Sequence, residues 1–232
     1  MQADNANGPV LTAVDLSRVF GSGDTAVTAL SGISLTVQQG DFLAVTGRSG
    51  SGKTTLLNLL SGLDNPTTGT VHFHGDDLAN LRESDLVEMR RHKIGFVFQS
   101  FGLMPLLSAQ ENVELPLHIG GASWRERRQK ATEALRAVGL GTRARHRPFE
   151  LSGGEQQRVS IARALVTEPE VVFADEPTGE LDTATARSIA ETLGEVAASR
   201  RATVIVATHD LDLAATAQRR LDLIDGMIVS QG

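Results

Sequence analysis

The sequence contains no cysteine, no tyrosine and a single tryptophan in 232 residues. Without cysteine there is no disulfide framework, no thiolate metal site and no cysteine nucleophile. Aromatic residues make up only 4% of the chain, so stacking platforms for single-stranded nucleic acid are missing. Long apolar runs are missing as well. None exceeds four residues, as in Phe42–Val45 and Val204–Ala207, against the ~20 that a membrane-spanning helix needs. The opening MQADNANGPV has no basic stretch leading into an apolar one, so no secretory signal is visible and a cytoplasmic protein is expected. Nor is there an excess of positive charge: 22 Lys and Arg face 28 Asp and Glu, for a net charge of −6. Such a surface repels polyphosphate at long range, and nucleic acid is not expected as a partner. Any phosphate bound here has to be captured locally, by oriented backbone N–H groups and a few placed cations.

What is present is a globular balance, with 41% hydrophobic and 22% charged residues. Residues 1–9 read as a flexible tail and 10–232 as one domain. Strand-like runs (VLTAVDL, ALSGISLTV, DFLAVTG, TGTVHFHGD, IGFVFQ) open the chain, interrupted by helical patterns in KTTLLNLLSGL and ESDLVEMRRHK. In the first of those helices Leu56, Leu57, Leu59, Leu60 and Leu63 form the buried set. The middle turns helical over SAQENVELPL, SWRERRQKATEALRAVGL and GEQQRVSIARALVTEP. Alternation then resumes through VVFAD, TATARSIAETLGEVAASRR, TVIVATH and DLDLAATAQ, and LDLIDGMIV closes as a hairpin. Strands alternating with helices imply an α/β fold with a mostly parallel core sheet, and a helical lobe inserted at about residues 100–160.

Gly47-Arg-Ser-Gly-Ser-Gly-Lys-Thr54 matches G-x-x-x-x-G-K-[ST] between a buried strand and a helix, the setting in which that pattern makes a phosphate-binding loop. Gly47, Gly50 and Gly52 let the backbone curl, so that Arg48, Ser49, Ser51 and their neighbours turn N–H groups inward on an anion. The helix beginning at Lys53 adds its positive end, with Thr54 and Thr55 in its first turn. Lys53 is placed for the β- and γ-phosphates and the Thr54 hydroxyl for Mg²⁺. The loop alone leaves kinases, small GTPases, helicases and transport ATPases open. VVFAD supplies a strand-end carboxylate, Asp175, suited to hold Mg²⁺, and the adjacent Glu176 can orient or deprotonate an attacking water.

Leu151-Ser-Gly-Gly-Glu-Gln-Gln157 opens a second helix on Ser152, Gly153, Gly154 and Glu155, a second anion-binding helix start. LSGGEQQ resembles the signature of the ATP-binding cassette (ABC) ATPases, and its place between the phosphate loop and VVFADE is that family's order. The resemblance covers about residues 10–230. It implies a P-loop NTPase with an N-terminal antiparallel β subdomain, and ATP and Mg²⁺ as cofactors. It also implies Gln99 as the Q-loop glutamine near metal and water, His209 in VATHD as the histidine on the γ-phosphate, Asp182 in the segment GELD that crosses between protomers, and Phe20 as an adenine-stacking ring. Without it, a satisfied strand-end histidine would be the favoured reading of His209. In this family two copies sandwich two ATP, the signature of one facing the phosphate loop of the other. Separate integral-membrane permease subunits then dock near Phe101–Leu107, with the cassette peripheral on the inner face of the membrane.

GFVFQSFGLMPLLSAQENVELPL, GLDNPTTG and HRPFELSGGEQQRVSIARAL are similar to the lipoprotein-releasing and macrolide-export branch. The related cell-division ATPase, which transmits force to cell-wall enzymes without moving substrate, shares much of the pattern. Arg48 stands where the branch usually has proline, Phe20 where it has tyrosine, and Glu180 adds a charge near the expected dimer seam. The chain ends just after the closing hairpin, so no appended regulatory domain is expected. His72 and His74 lie on one face of a strand without a third ligand and read as solvated. The basic run Arg125–Lys130 beside Trp124 is interspersed with Glu126 and Glu133, and reads as a solvated helix face rather than a lipid-headgroup site.

Overall fold

Alternating apolar and polar residues at the start of the chain form an antiparallel sheet. Its strands are β1 (Leu11–Phe20), β2 (Val27–Val37), β4 (Thr68–Phe73) and the short β5 (Asp76–Asp77), in the order β2-β1-β4-β5. The structure, a computed structural model, describes residues 8–199 and 202–232, so the expected tail lies almost wholly outside the described residues.

The second sheet has the order β10-β9-β3-β8-β7-β6. Strands β3 (Phe42–Thr46), β6 (Ile94–Val97), β7 (Val171–Asp175), β8 (Thr203–Thr208) and β9 (Arg219–Ile224) run parallel, and β10 (Met227–Gln231) pairs antiparallel at the edge. Every residue of β3 and β8 is buried, the unbroken apolar pattern of strands covered on both faces. Their side chains divide by strand alternation. Phe42, Ala44, Val172, Ala174, Val204 and Val206 join one apolar cluster, while Leu43, Val45, Val171, Phe173, Ile205 and Ala207 join the other. Helix α1 (Lys53–Leu60) packs on the second cluster and α6 (Thr183–Ala198) on the first. Helix α2 (Glu83–Lys93) leads into β6, and α7 (Leu211–Thr216) follows β8.

Helices α3 (Ala109–Ile119), α4 (Trp124–Ala137) and α5 (Gly153–Leu165) pack on one another and on the first cluster. Each starts on a serine whose hydroxyl accepts an N–H of the first turn: Ser108, Ser123 and Ser152. In α3 and α5 the third helical residue, Glu111 or Glu155, reaches back to the serine N–H and completes a capping box.

Two expectations shift. Helix α1 stops at Leu60, where the Ser61 N–H closes on the Leu57 carbonyl and Gly62 takes φ +68°. Leu63 therefore leaves the helix and is half exposed rather than part of its buried set. Strand β6 stops at Val97, because the chain turns with the Phe101 N–H on the Phe98 carbonyl and left-handed Phe101 and Gly102. Phe98 and Gln99 thus belong to a loop and are exposed. The closing hairpin forms as read, with Asp225 and Gly226 both at positive φ, the pattern of a type I′ turn.

Close packing of α5 on β6 depends on Gly95, where a Cβ would overlap the Ala164 carbonyl oxygen. Gly95→Ala should destabilise by about 1–3 kcal/mol in urea unfolding. Gly194→Ala in α6, whose Cβ would meet only Phe42 at 4.0 Å, should stabilise by about 0.5–1 kcal/mol. Equal responses at the two sites would contradict the packing described.

Candidate functional site

The loop after β3 is shaped by glycines that space requires. Gly52 has φ +103° and is the N-cap of α1, and a Cβ on it would stand 2.6 Å from the Ala29 carbonyl oxygen and 2.8 Å from the Leu30 side chain. A Cβ on Gly47 would overlap the Leu223 carbonyl. A glycine N-cap provides no side-chain acceptor, and the first turn of α1 holds no acid, so the positive helix end is left for an anion. Gly47, Arg48, Ser49, Gly50 and Ser51 line an open cleft of about 690 Å³ that His209 also borders. The buried Ser51 hydroxyl has no partner among the described residues. Thr55 sits partly buried in the first turn of α1.

Lys53 is buried and fully engaged. Its Nζ donates to the carbonyls of Gly47 (2.8 Å) and Arg48 (3.2 Å) and lies 3.3 Å from Glu176 Oε1. Glu176 turns out of β7 at φ +47°, with its N–H on the Ala207 carbonyl of β8. Its Oε2 accepts the His209 N–H at 3.2 Å and lies 2.8 Å from His209 Nδ1. The carboxyl ends of β3, β7 and β8 therefore converge on one carboxylate, the place where open α/β sheets bind ligands. His209 keeps most of its ring exposed to the cleft.

Thr54 Oγ1 donates to Asp175 Oδ2 at 2.8 Å, and Asp175 Oδ1 is buried without a hydrogen-bond partner among the described residues. Burial pushes the Asp175 carboxyl above the usual carboxylate range; the Thr54 hydrogen bond opposes this and the neighbouring Glu176 charge adds to it. A hydroxyl beside a carboxylate that has one orphaned oxygen offers the hard oxygen donors that Mg²⁺ takes, so the residues fit that ion. Gln99 stands elsewhere: its side-chain amide lies beside Gly179, 3.3 Å from where a Cβ there would be. No hydrogen bond joins it to Thr54 or Asp175 among the described residues.

The signature forms the start of α5, which packs on α3, α4, α6 and β6, whereas α1 packs on β1, β2, β7 and β8. Ser152 and Glu155 cap one another, and the Ser152 N–H, helped by the Ser152 hydroxyl and Arg143 and opposed by burial, holds the Glu155 carboxyl below its ordinary value. Gly153 lies against Leu181 and Phe101, and a Cβ on Gly154 would overlap Thr185. Asp182 caps α6, accepting the N–H groups of Ala184 and Thr185 (both 3.1 Å) and the Thr185 hydroxyl (2.6 Å). Its carboxyl is held low chiefly by that hydroxyl. Glu180 is exposed beside it.

Phe20 ends β1 half exposed, with the Arg18 guanidinium 4.5 Å from its ring centroid. Arg18 is itself clamped by both oxygens of Asp64 at 2.9 Å. One ring face is thereby occupied, a partner the sequence did not disclose. Neither did it disclose what shapes the loop Phe101–Leu107. The buried Asn112 side chain accepts the Met104 N–H (2.7 Å) and donates to the carbonyls of Met104, Leu107 and Ser108. Arg163 holds the carbonyls of Phe101 and Gly102. Met104 and Leu106 are left exposed, the latter by 80%. Beside them a groove of about 440 Å³ runs past Phe98, Ile119 and Leu63. His72 and His74 do not pair: His72 bonds Thr70 and His74 bonds Glu170. No metal-binding cluster of His, Cys, Asp and Glu occurs among the described residues.

A parallel sheet with a phosphate loop after β3 and a carboxylate pair at the end of β7 defines a P-loop NTPase, and LSGGEQQ at the start of α5 gives it the pattern of the ATP-binding cassette class. The chain belongs to the ABC transporter family, whose model matches residues 30–179. It is 47% identical over 222 residues to the macrolide export ATP-binding/permease protein MacB of Hyphomonas neptunium, covering 96% of this chain but 34% of that protein. It is also 47% identical over 221 residues to the lipoprotein-releasing system ATP-binding protein LolD of Geobacter metallireducens, covering 95% of this chain and 98% of that one. The chain thus spans about a third of the first relative and nearly all of the second. The dimeric cassette MJ0796, in a post-hydrolysis state bound to ADP and Pi, superimposes with a TM-score of 0.88 at 40% identity, covering 96% of this chain and 97% of that one.

A carboxyl raised by burial costs stability once ionised. Asp175→Asn, which keeps an acceptor for Thr54, should raise the melting temperature of the nucleotide-free chain at pH 7.5. The gain should shrink as pH falls through the raised Asp175 value and vanish below the ordinary carboxylate range. Calorimetry across pH 4–8 reads this, and a gain independent of pH would refute the burial argument.

Proposed function

We propose that the chain is the ATP-hydrolysing subunit of a transporter of the lipoprotein-release and macrolide-export type. It closes as a pair around two ATP and drives separate permease subunits. The observation that carries this reading is Glu176, held at 3.3 Å from Lys53 and 2.8 Å from His209 at the mouth of the phosphate loop. The names of the relatives and the dimeric state of the solved cassette support it.

In this reading Gly47–Thr55 cradles the phosphates with backbone N–H groups, and Lys53 exchanges its contact with Glu176 for phosphate oxygens. Phe20 offers the ring face away from Arg18 to the adenine. Thr54 and Asp175 would hold Mg²⁺, with Gln99 as a further oxygen donor, and the ion would offset phosphate charge. Glu176 orients the attacking water and accepts its proton, with His209 steering both Glu176 and the γ-phosphate. Ser152, Gly153, Gly154 and Glu155 present the start of α5 to the nucleotide of the partner protomer, with Asp182 shaping the neighbouring segment. Helices α1 and α5 pack on different elements, which supports a second copy as the source of that contact. No helix among the described residues is long and apolar enough to cross a membrane. Work at a membrane then falls to a permease seated on Phe101–Leu107 and the adjacent groove, with the cassette on the inner face.

Glu176→Gln should retain ATP binding, lower hydrolysis by roughly 10²–10⁴-fold and trap an ATP-dependent dimer in gel filtration. A variant that stays monomeric at saturating ATP would sink the sandwich. Leu106→Asp should leave stability within about 0.5 kcal/mol and intrinsic hydrolysis unchanged, while co-purification with the permease is lost. Retained co-purification would move the docking site elsewhere.

A further inference from the structure

Charge is distributed unevenly over this acidic protein. Residues 124–147 hold eight Arg and Lys against two Glu, a net +6 within a chain of net −6. The structure shows how these cations are used. Lys130 pairs with Glu126 and Glu168, and Arg143 with Glu155. Arg125, Arg128, Arg136, Arg145 and Arg147 have no carboxylate within salt-bridge distance among the described residues. Three of these, Arg125, Arg128 and Arg136, line a shallow concavity of about 280 Å³ on the exposed side of α4 together with Trp124. Glu133, the one acid in that lining, has its carboxylate tied to Gln129 Nε2 at 3.0 Å. Trp124 is 63% exposed, and the Arg128 guanidinium lies 5.5 Å from its ring centroid, holding the indole at the rim.

We propose that this face of α4 binds the anionic phospholipid surface of a membrane, with arginines on headgroup phosphates and Trp124 at the headgroup level. An exposed indole among unpaired guanidinium groups matches an interface that is apolar on one side and anionic on the other. An acidic polypeptide would match the arginines but leaves the exposed indole without a counterpart. Position agrees. Trp124 begins α4 one short turn after Ile119, which lines the groove beside Phe98, so the cationic face borders the surface assigned above to the permease. Lipid contact of this kind gives the cassette a hold on the bilayer that involves neither nucleotide nor permease. Its position rests on the permease surface of that reading, whereas the charge and the exposed indole stand without it.

Trp124 is the sole tryptophan, so its emission reports this site alone. The purified full chain, without nucleotide, is titrated with vesicles of phosphatidylglycerol and phosphatidylcholine, and separately with phosphatidylcholine alone. The expected result is a blue shift and co-sedimentation with the anionic vesicles only, weakening as salt rises. In the double variant Arg125→Glu/Arg128→Glu vesicle affinity should fall about tenfold or more. Its circular dichroism melt and ATP hydrolysis rate should match the unmodified chain, which separates failure here from failure of the ATPase reading. The proposal is overturned by an unshifted emission with anionic vesicles, or by undiminished affinity in the double variant. It is equally overturned if polyglutamate shifts the emission where vesicles do not.

Discussion

The site is organised by one buried contact, the ammonium of Lys53 against the carboxylate of Glu176. Removing either partner of such a pair leaves an uncompensated charge in a dry place, so the surrounding backbone is arranged to keep both. Lys53 is fixed by being the first residue of α1, and Glu176 by a left-handed turn at the end of β7 that hands its N–H to β8. An incoming phosphate therefore meets a lysine that already has an anion. In the proposed function, binding would exchange one anionic partner for another and leave the carboxylate beside His209. Affinity and the readying of a base would then be two sides of the same exchange.

The acidity of the chain fits this arrangement. A net charge of −6 gives no long-range pull on nucleotide, so retention falls to the uncapped start of α1, one lysine and a pair of oxygen donors. Asp175 shows the cost of holding such a set ready. Its carboxyl is kept partly out of water with one oxygen unpartnered, an arrangement that favours a cation or a proton over neither.

Much of this was legible in the sequence, because it is local. The phosphate loop and the strand-end acids are written in spacings of a few residues, and α2 occupies the stretch that its pattern marks. Parallel strands were legible through unbroken apolar runs. What could not be read is side-chain reach across the fold. Asn112 gathering the backbone of the Met104 loop, Arg163 holding Phe101 and Gly102, and Arg18 lying over Phe20 are contacts between segments whose sequences carry no mutual mark. Leu63 and Phe98 were misplaced for a related reason. Their hydrophobicity suits the neighbouring helix or strand, but Gly62 in one case and the Phe101–Gly102 turn in the other end the element first. His74 was read with His72 from periodicity, but β4 ends at Phe73, and left-handed His74 turns to Glu170, just ahead of β7.

The missing Cβ of Gly154 has a mechanical meaning. It lets the start of α5 lie directly on Thr185, and Thr185 is bound to Asp182, the cap of α6. Two helix ends of the same polarity are thus pressed together, each quieted by its own acid, Glu155 on one and Asp182 on the other. The joint is close, with the Thr185 side chain filling the space that a side chain at 154 would need. Neither helix start has room to approach the other further, so the positions of the two caps are set together rather than separately.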